Sequence, residues 1–454
     1  MTPIYMWFPI DSIPLLAIIN RTRVNIVLLF TSYCLPGRHL VGFEMTPQAL
    51  KQLRKDFQLS QEQVGSIVCR NANTIALWEA GKRRIDKGLW KLLLLELGVT
   101  STQEKTLLNK TNKSIEMPKQ ELIPFLTFKK NLEELQLETH AAELKKINKG
   151  DLRFIDLFAG IGGIRQAFER AGAKCVFSSE IDPFAQYTYY ANHGTVPFGD
   201  ITKIDESSIP DHDILCAGFP CQPFSHIGKR EGFKHPTQGT MFYEIVRILK
   251  VKRPRVVFLE NVPGLVNHDD GKTLDVILQS LKELGYSCNF TILNAKDFGI
   301  PQSRARFYLV GFLNSEKQFN FPVPPMIKAD IGDILETNVK GYSISEHLQK
   351  SYLFKKDDGR PVLVDKSSKG PMKTLVCSYH KIQRLTGTFV KDGETGVRLL
   401  TAQECKAVMG FPKDFILPVS RTQMYRQMGN SVVVKVIESI AQKLVSDLNL
   451  IDKR

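Results

Sequence analysis

The chain has 454 residues, of which 43% are hydrophobic and 24% are charged, and its formal net charge is +14 at pH 7. This length exceeds one ordinary domain, so we expect two or three. The composition is typical of a soluble globular protein, and no apolar run approaches the roughly 20 residues that would span a bilayer. The excess of positive charge favours a polyanionic partner, such as nucleic acid, whose binding weakens with salt.

The eight cysteines are scattered, with no Cys-x-x-Cys pair and no histidine at metal-ligand spacing. This pattern argues against a disulfide framework and against a zinc site. We therefore predict reduced thiols, no metal, and a location in the cytoplasm.

Residues 1–44 do not fit the rest of the chain. Two short apolar runs, 13–19 and 26–30, surround Arg21 and Arg23, and four prolines interrupt any long helix. A signal peptide would need a small-residue cleavage site, which does not follow. We expect this extension to be disordered or foreign to the native chain, which would then start at Met45.

Residues 45–100 predict a compact helical module. Ser60 and Gln63 form a capping-box pattern before one helix, and a further helix covers 74–80 and stops at Gly81. Two short helices with a tight connection are typical of a helix-turn-helix, whose second helix enters a major groove. The alternative is a helical protein-interaction domain. The side chains expected to reach base edges are Asn71, Asn73 and Thr74.

Downstream of a charged helical linker at 101–150, strands and helices alternate through 151–334. This alternation predicts an α/β fold with a mostly parallel sheet and helices on both faces. A polar segment, 335–418, departs from the alternation, and 419–454 returns as a helix that packs back on the sheet. The apolar strand candidates are 154–158, 174–178, 213–217, 256–259 and 307–312.

A glycine-rich turn, Phe158-Ala159-Gly160-Ile161-Gly162-Gly163, follows the first strand and opens a helix. Glycines let the backbone approach a ligand, and a helix N-terminus favours negative charge. Glu180 follows the second strand, where a carboxylate can accept both ribose hydroxyls. Asp200 follows the next strand, where a carboxylate can accept from an adenine amino group. Each feature alone is more often a packed turn or a solvated loop, but their order indicates an adenosyl ligand.

Cys221 lies between two prolines in Gly-Phe-Pro-Cys-Gln-Pro-Phe-Ser, 218–225, at the end of another strand. Ligands bind at the carboxyl ends of parallel strands, and prolines hold the sulfur in one place, which suits a nucleophile. A buried structural cysteine in a rigid turn is the alternative.

Glu260 follows the apolar strand 256–259, so we expect its carboxylate at the same edge of the sheet. Gln302, Arg304 and Arg306 alternate at the start of a further strand and therefore share one face. Alternating arginines usually form a solvated edge. Here they are also candidates to contact a base, orient Glu260 and bind phosphate.

Taken in order, these motifs resemble those of the DNA cytosine-5 methyltransferases. The series is F-x-D-L-F-x-G-x-G-G, G-F-P-C-Q, E-N-V and Q-x-R-x-R, then R-L-L-T-x-x-E-C-x-x-x-M-G-F-P and Q-M-G-N-S-V. The resemblance covers about 152–440, and the motifs are specific when taken together. It implies the S-adenosylmethionine-dependent methyltransferase fold, with a target-recognition domain at 335–418. Similarity within the family extends to the helix-turn-helix front end.

The resemblance implies that a cytosine is flipped out of double-stranded DNA. Cys221 then adds to C6 while protonated Glu260 donates to N3, and Arg304 holds the base and Glu260. C5 takes the methyl group, and loss of the C5 proton expels the sulfur. The implied S-adenosylmethionine contacts are Phe158, Gly160, Gly162, Glu180, Ile181, Asp200, Ile201, Asn430 and Ser431.

The loop 225–241 contains three cations and three glycines, and we expect it to close over bound DNA. A solvated charged loop is the alternative. The DNA contacts expected outside the helical module are Ser225, Lys229 and Arg306.

Similarity within the family favours one cytosine of CCGG as the target, although no rule converts 335–397 into a base sequence. It also implies the modification half of a restriction-modification system, with a cognate endonuclease that forms no stable complex. Repression of the enzyme's own gene by the helix-turn-helix is expected in addition. The alternatives are an RNA cytosine methyltransferase and a DNA-binding regulator with an inactive methylase half.

Overall fold

The computed structural model describes residues 5–10, 13–20, 23–26, 47, 50–51, 54, 60–67, 72–82, 124–220, 241–314 and 317–452. The chain divides into two units, 1–116 and 117–454. No helix in the described part of the chain is long and apolar enough to cross a bilayer.

The first unit begins with three antiparallel strands, β1 (Tyr5–Ile10), β2 (Ile13–Asn20) and β3 (Arg23–Ile26). These strands lie in the extension that we expected to be disordered or foreign to the native chain, and that expectation stays a prediction. Two short helices follow, α1 (Gln61–Ile67) and α2 (Ala72–Glu79).

Glu79 at the end of α2 connects the described parts of the helical module. Its carboxylate pairs with Arg54 at 2.6 Å and accepts a hydrogen bond from Gln61 at 2.8 Å. Gly81 follows with φ +69°, a conformation that glycine adopts readily at a helix end. Two short adjacent helices therefore exist where we predicted them, and their assignment to a helix-turn-helix stays a prediction.

The second unit is built on a six-stranded sheet in the order β5-β4-β6-β7-β9-β8, in which β5, β4, β6 and β7 are parallel. β9 is antiparallel to both β7 and β8. This confirms the mostly parallel sheet. The strands are β4 (Arg153–Leu157), β5 (Lys174–Ser179), β6 (Ile214–Gly218), β7 (Val256–Asn261), β8 (Tyr286–Asn294) and β9 (Ala305–Leu313).

Apolar cores cover both faces of this sheet. One face packs α5 (Gly163–Arg170) and α13 (Val434–Asp452) against Phe154, Phe258 and Val310. The other packs α7 (Met241–Lys252) and α8 (Lys272–Glu283) against Leu215 and Leu259. The helices of this part are α3 (Phe125–Lys130), α4 (Leu132–Leu144), α5 (Gly163–Arg170), α6 (Pro183–His193), α7 (Met241–Lys252), α8 (Lys272–Glu283), α9 (Ile331–Ile334), α10 (Glu346–Leu348), α11 (Ala402–Met409), α12 (Arg421–Asn430) and α13 (Val434–Asp452).

The helices α3 and α4, at the end of the predicted linker, pack on this unit. Phe128 is buried against Tyr187 and Tyr190, with ring centroids 5.1 and 5.6 Å away. Gln136 donates to the carbonyl of Pro197 at 2.7 Å. The last part of the predicted linker is therefore held by aromatic packing and a buried hydrogen bond.

Residues 335–418, the predicted target-recognition segment, contain the helices α10 and α11 and the paired short strands β10 (Val362–Val364) and β11 (Thr388–Val390). Arg398 forms ion pairs with two carboxylates inside this segment. The guanidinium is fully buried and lies 2.8 Å from both Glu404 and Asp392. Because a buried charge is tolerated only when it is paired, these two carboxylates stabilise the buried guanidinium. Apolar residues of the segment, such as Leu353, Phe389 and Leu400, are buried in the core as well.

Candidate functional site

The parallel strands β6 and β7 end side by side, and this edge carries the predicted catalytic residues. Gly218 is the register partner of Glu260, and Glu260 is in turn the partner of Tyr308 on β9. A Cβ on Gly218 would lie 3.5 Å from the Glu260 carboxylate. The absence of a side chain at Gly218 therefore keeps the space beside the carboxylate open.

The predicted nucleophile, Cys221, lies outside the described residues, as do Ser225 and Lys229 of the predicted closing loop. The described chain reaches Pro220, which is exposed and lies two residues after the end of β6. The sequence position of Cys221 is thus three residues beyond Gly218, and its role stays a prediction.

Glu260 is a buried carboxyl group, with only 9% of the residue exposed. Its Oε1 lies 3.4 Å from Nε of Arg306. Burial raises the pKa of Glu260, and the positive charges of Arg306 and Arg304 oppose that rise. A carboxyl group with a raised pKa keeps its proton up to a pH nearer 7. This property suits a hydrogen-bond or proton donor.

The structure corrects our expectation for Arg304. We expected this residue to orient Glu260, but the contact with the carboxylate is made by Arg306, which we had assigned to DNA phosphate. The guanidinium of Arg304 instead donates to the carbonyls of Leu375, Gly429 and Ser431 at 2.7–2.9 Å. Arg304 lies directly before β9 and Arg306 lies within it, and their spacing alone does not show which of the two reaches Glu260.

Asn261, to which the sequence analysis assigned no role, connects two parts of the candidate site. Its buried side chain donates to the carbonyl of Phe219 at 2.9 Å and accepts from the backbone N–H of Val262 at 2.8 Å. It thereby fixes the start of the Cys221 loop to the end of β7. The available signal was its place directly after Glu260, within the Glu-Asn-Val motif.

The glycine-rich turn leaves no room for larger side chains at two of its glycines. A Cβ on Gly162, whose φ is +87°, would lie 2.2 Å from Nε2 of His193, and one on Gly163 would lie 2.7 Å from Val432. Gly160 differs, because its Cβ position meets no atom within 4 Å. Phe158, at the start of the turn, also has a positive φ of 57°. The turn is packed on one side and open at Gly160.

Glu180 is bound directly to this turn. One carboxylate oxygen accepts from the backbone N–H of Gly160 and the other from that of Asp182, both at 2.8 Å. Burial raises the pKa of Glu180, and these backbone hydrogen bonds oppose the rise. Each oxygen of a carboxylate can accept two hydrogen bonds, so both retain capacity for ligand hydroxyls.

The remaining predicted cofactor residues lie in different surroundings. Ile181, next to Glu180, is 69% exposed, whereas the side chain of Ile201 is buried in the apolar core. Asp200 accepts hydrogen bonds from the backbone and the hydroxyl of Thr202 at 3.1 and 2.8 Å. Their contacts with a cofactor stay predictions.

The returning segment after α12 reaches the glycine-rich turn, as predicted. The hydroxyl of Ser431 lies 3.1 Å from the Cβ position of Gly163, and the neighbouring Asn430 is exposed. On the other side, Ile164 of α5 lies 3.6 Å from the Cβ position of Gly218. The turn and the Glu260 edge therefore share one region of the sheet.

In the helical module, Asn73 is exposed on α2, whereas Thr74 is only 9% exposed. Thr74 lies one helical turn before the buried Trp78 and therefore shares its inward face. The prediction that Thr74 reaches a base edge stays a prediction, and this inward position does not favour it. Asn71 lies outside the described residues.

Comparison with known proteins shows a family match over most of the second unit. Residues 152–446 match the C-5 cytosine-specific DNA methylases. The chain is 58% identical over 419 residues to the type II methyltransferase M.MspI of Moraxella sp, covering 90% of this chain and 97% of that protein. It is 58% identical over 301 residues to M.BsuFI of Bacillus subtilis, covering 65% of this chain and 73% of that protein.

Solved structures share the fold at lower identity. The S. pombe Dnmt2 methyltransferase aligns with a TM-score of 0.54 at 24% identity, covering 66% of this chain and 99% of that one. The Entamoeba histolytica methyltransferase EhMeth aligns with a TM-score of 0.55 at 24% identity, covering 66% and 99%. At this identity the likeness supports the methyltransferase fold alone.

Proposed function

Because the chain belongs to the C-5 cytosine-specific DNA methylases, which use S-adenosylmethionine, we propose that it methylates one cytosine within CCGG in double-stranded DNA. The similarity to M.MspI supports this target, since that match covers 90% of the chain and extends beyond the methylase family match. The observation that carries the chemistry is the buried Glu260 carboxyl beside Arg306 at the sheet edge.

The cytosine enters this edge after it is flipped out of the duplex, because its C5 and C6 atoms cannot be reached in the stack. Protonated Glu260 donates to N3, and the positive charge of Arg306 at 3.4 Å keeps the carboxyl oriented. N3 protonation makes C6 electrophilic, so the Cys221 sulfur adds there. Asn261 supports this step by holding the start of the Cys221 loop against β7.

Addition of the sulfur makes C5 nucleophilic. Bound S-adenosylmethionine supplies the electrophilic methyl group. Loss of the C5 proton then expels Cys221 and restores the aromatic ring. Cys221 and Glu260 thus act on opposite positions of one ring, C6 and N3, which requires the close placement of the β6 and β7 ends.

The described residues fit an adenosyl ligand. The Cβ position of Gly160 faces open space, and the Glu180 carboxylate beside it retains acceptor capacity for two ribose hydroxyls. Ser431, at 3.1 Å from the Cβ position of Gly163, closes the turn from the returning segment. We assign these residues to hold the cofactor.

In the cell, we propose that the enzyme is the modification half of a restriction-modification system in the bacterial cytoplasm. The relatives M.MspI and M.BsuFI are both type II methyltransferases. A cognate endonuclease would share the site without a stable complex, since both enzymes must reach the same DNA. Bisulfite sequencing of duplex DNA treated with the purified enzyme tests the assignment. Methylation confined to CCGG is expected, and methylation of RNA or of other sequences contradicts it.

A second role is proposed for the helical module. Asn73 is exposed on α2, and the exposed Lys82 follows the end of that helix, so this surface suits a major groove and its phosphates. We infer that it binds an operator of the enzyme's own gene. Footprinting on that promoter tests this. Protection that is lost in Asn73→Ala and kept in the control Glu62→Gln, at an exposed position of α1, is expected, and no protection contradicts it.

A further inference from the structure

Leu375, in the target-recognition segment, has both of its backbone polar groups bound by side chains at the start of β9. Its N–H donates to Gln302 at 2.7 Å, and its carbonyl accepts from Arg304 at 2.8 Å. The hydroxyl of Thr374 donates to the carbonyl of Ser303 at 2.7 Å. Two consecutive residues of the segment are thus fixed to one strand end.

The same guanidinium of Arg304 also binds the segment that reaches the glycine-rich turn. Its Nη2 donates to the carbonyls of Gly429 and Ser431 at 2.9 and 2.7 Å. Ser431 is the residue whose hydroxyl lies 3.1 Å from the Cβ position of Gly163. Arg304 is buried, so water does not compete for these hydrogen bonds. One side chain therefore links the target-recognition segment to the proposed cofactor pocket.

A second, independent contact joins the same two parts. A Cβ on Gly429, in α12, would lie 2.2 Å from the backbone nitrogen of Cys377 and 2.3 Å from the carbonyl carbon of Val376. The helix and the segment thus touch backbone to backbone, with no side chain between them. So close a contact leaves residues 375–377 and 429–431 little room to move independently of each other.

Two residues along the strand, Arg306 contacts Glu260. Arg304 therefore lies where the target-recognition segment, the cofactor segment and the catalytic strand meet. A planar guanidinium with five donors can bind three carbonyls at once, whereas a lysine ammonium has no such fork.

We propose that Arg304 is a positioning residue through which DNA on the target-recognition segment and cofactor at the glycine-rich turn strengthen each other's binding. This inference rests on the proposed function. Two ligands that stabilise the same arrangement of one junction bind with positive coupling, and the coupling is reciprocal. The role differs from base contact, since Arg304 acts through backbone carbonyls.

The test measures the affinity of the full-length protein for a CCGG duplex by fluorescence anisotropy, with and without saturating S-adenosylhomocysteine. We expect the cofactor product to raise the wild-type affinity by about fivefold or more. Arg304→Lys should bring this ratio close to one. Arg306→Lys should keep the wild-type ratio while losing methyl transfer. Cofactor affinity measured with and without DNA must show the same factors.

Thermal unfolding of each variant accompanies these measurements. Thr374→Val removes one donor of the junction at nearly constant volume, and we expect it to lower the ratio about twofold, within the typical range of such couplings. If Arg304→Lys does not fold, the affinity ratio of Thr374→Val is used in its place. An unchanged ratio in the folded Arg304→Lys variant, or a wild-type ratio of one, overturns the inference. Failure of the proposed function is distinct, because the wild type would then bind CCGG no better than a scrambled duplex and would transfer no methyl group.

Discussion

Nε of Arg306 lies 3.4 Å from Oε1 of Glu260, and this ion pair is held at the end of two strands where both side chains are largely excluded from water. Burial and positive charge act in opposite directions on this carboxyl group. The burial of Glu260 favours its protonated form, while Arg306 orients the group and limits the rise of its pKa.

Glu260→Gln should lower kcat by about 100-fold or more, because an amide cannot deliver a proton to N3 and general acid catalysis contributes on that order. The affinities for DNA and for S-adenosylhomocysteine should stay within about threefold, since the amide preserves the shape. Steady-state kinetics with a CCGG duplex measures this. Glu283→Gln, at an exposed position of α8, is the matched control and should match the wild type. A kcat within about tenfold of wild type in Glu260→Gln contradicts the assigned role.

Cys221→Ala should abolish methyl transfer while DNA binding persists, because only the covalent step needs the sulfur. Duplex DNA with 5-fluorocytosine at the target should trap a covalent adduct with the wild type, since the C5 proton that must leave is absent. Denaturing electrophoresis and mass spectrometry detect the adduct. Cys288→Ala, on β8, should still form it. An adduct in Cys221→Ala, or none with active wild type, argues against the nucleophile.

Gly162→Ala should destabilise the glycine-rich turn, because the added Cβ would lie 2.2 Å from His193 at a φ of +87°. We expect a loss of about 1–3 kcal/mol of unfolding free energy, from backbone strain and overpacking together. Cofactor affinity by calorimetry should fall with it. Gly150→Ala meets nothing within 4 Å and serves as the control. Equal stability of the two variants would show that the turn accommodates a Cβ at position 162.

Asp156, fully buried on β4, should make the protein less stable as pH rises. Burial raises the pKa of Asp156 to about 8, although the positive charge and the backbone N–H of Arg165 oppose the rise. The folded protein therefore retains a proton that the unfolded chain has released above pH 4. The associated stability is present at low pH and is lost by about 1.4 kcal/mol per pH unit up to pH 8.

Asp156→Asn removes this dependence, so its stability relative to wild type should increase steadily from pH 5.5 to 7.5. Urea unfolding at three pH values measures the difference. Asp275→Asn, exposed on α8, should show a constant difference from wild type over the same range. A constant difference for Asp156→Asn as well would mean that the carboxyl group is ionised in the folded protein.

Much of the fold follows from local sequence. Five strand candidates lie within two residues of β4, β5, β6, β7 and β9, because buried strands are continuous apolar runs bounded by turn residues. β8 was not predicted. It is an edge strand, and Phe290 and Ile292 on it are exposed, so its pattern lacks the apolar run of the central strands.

The sequence by itself determined the family, the chemistry and the positions of Glu260 and of the glycine-rich turn, because these depend on residue types at fixed spacing after strands. It also predicted that Arg304 and Arg306 share one face of a strand. Only the tertiary structure decided that Arg306 reaches Glu260 and that Arg304 binds the carbonyls of Leu375, Gly429 and Ser431. Those partners lie 71 to 127 residues away along the chain. The alternation of side chains along a strand predicts which face a residue is on. Which buried group the residue contacts on that face depends on how distant segments of the chain pack.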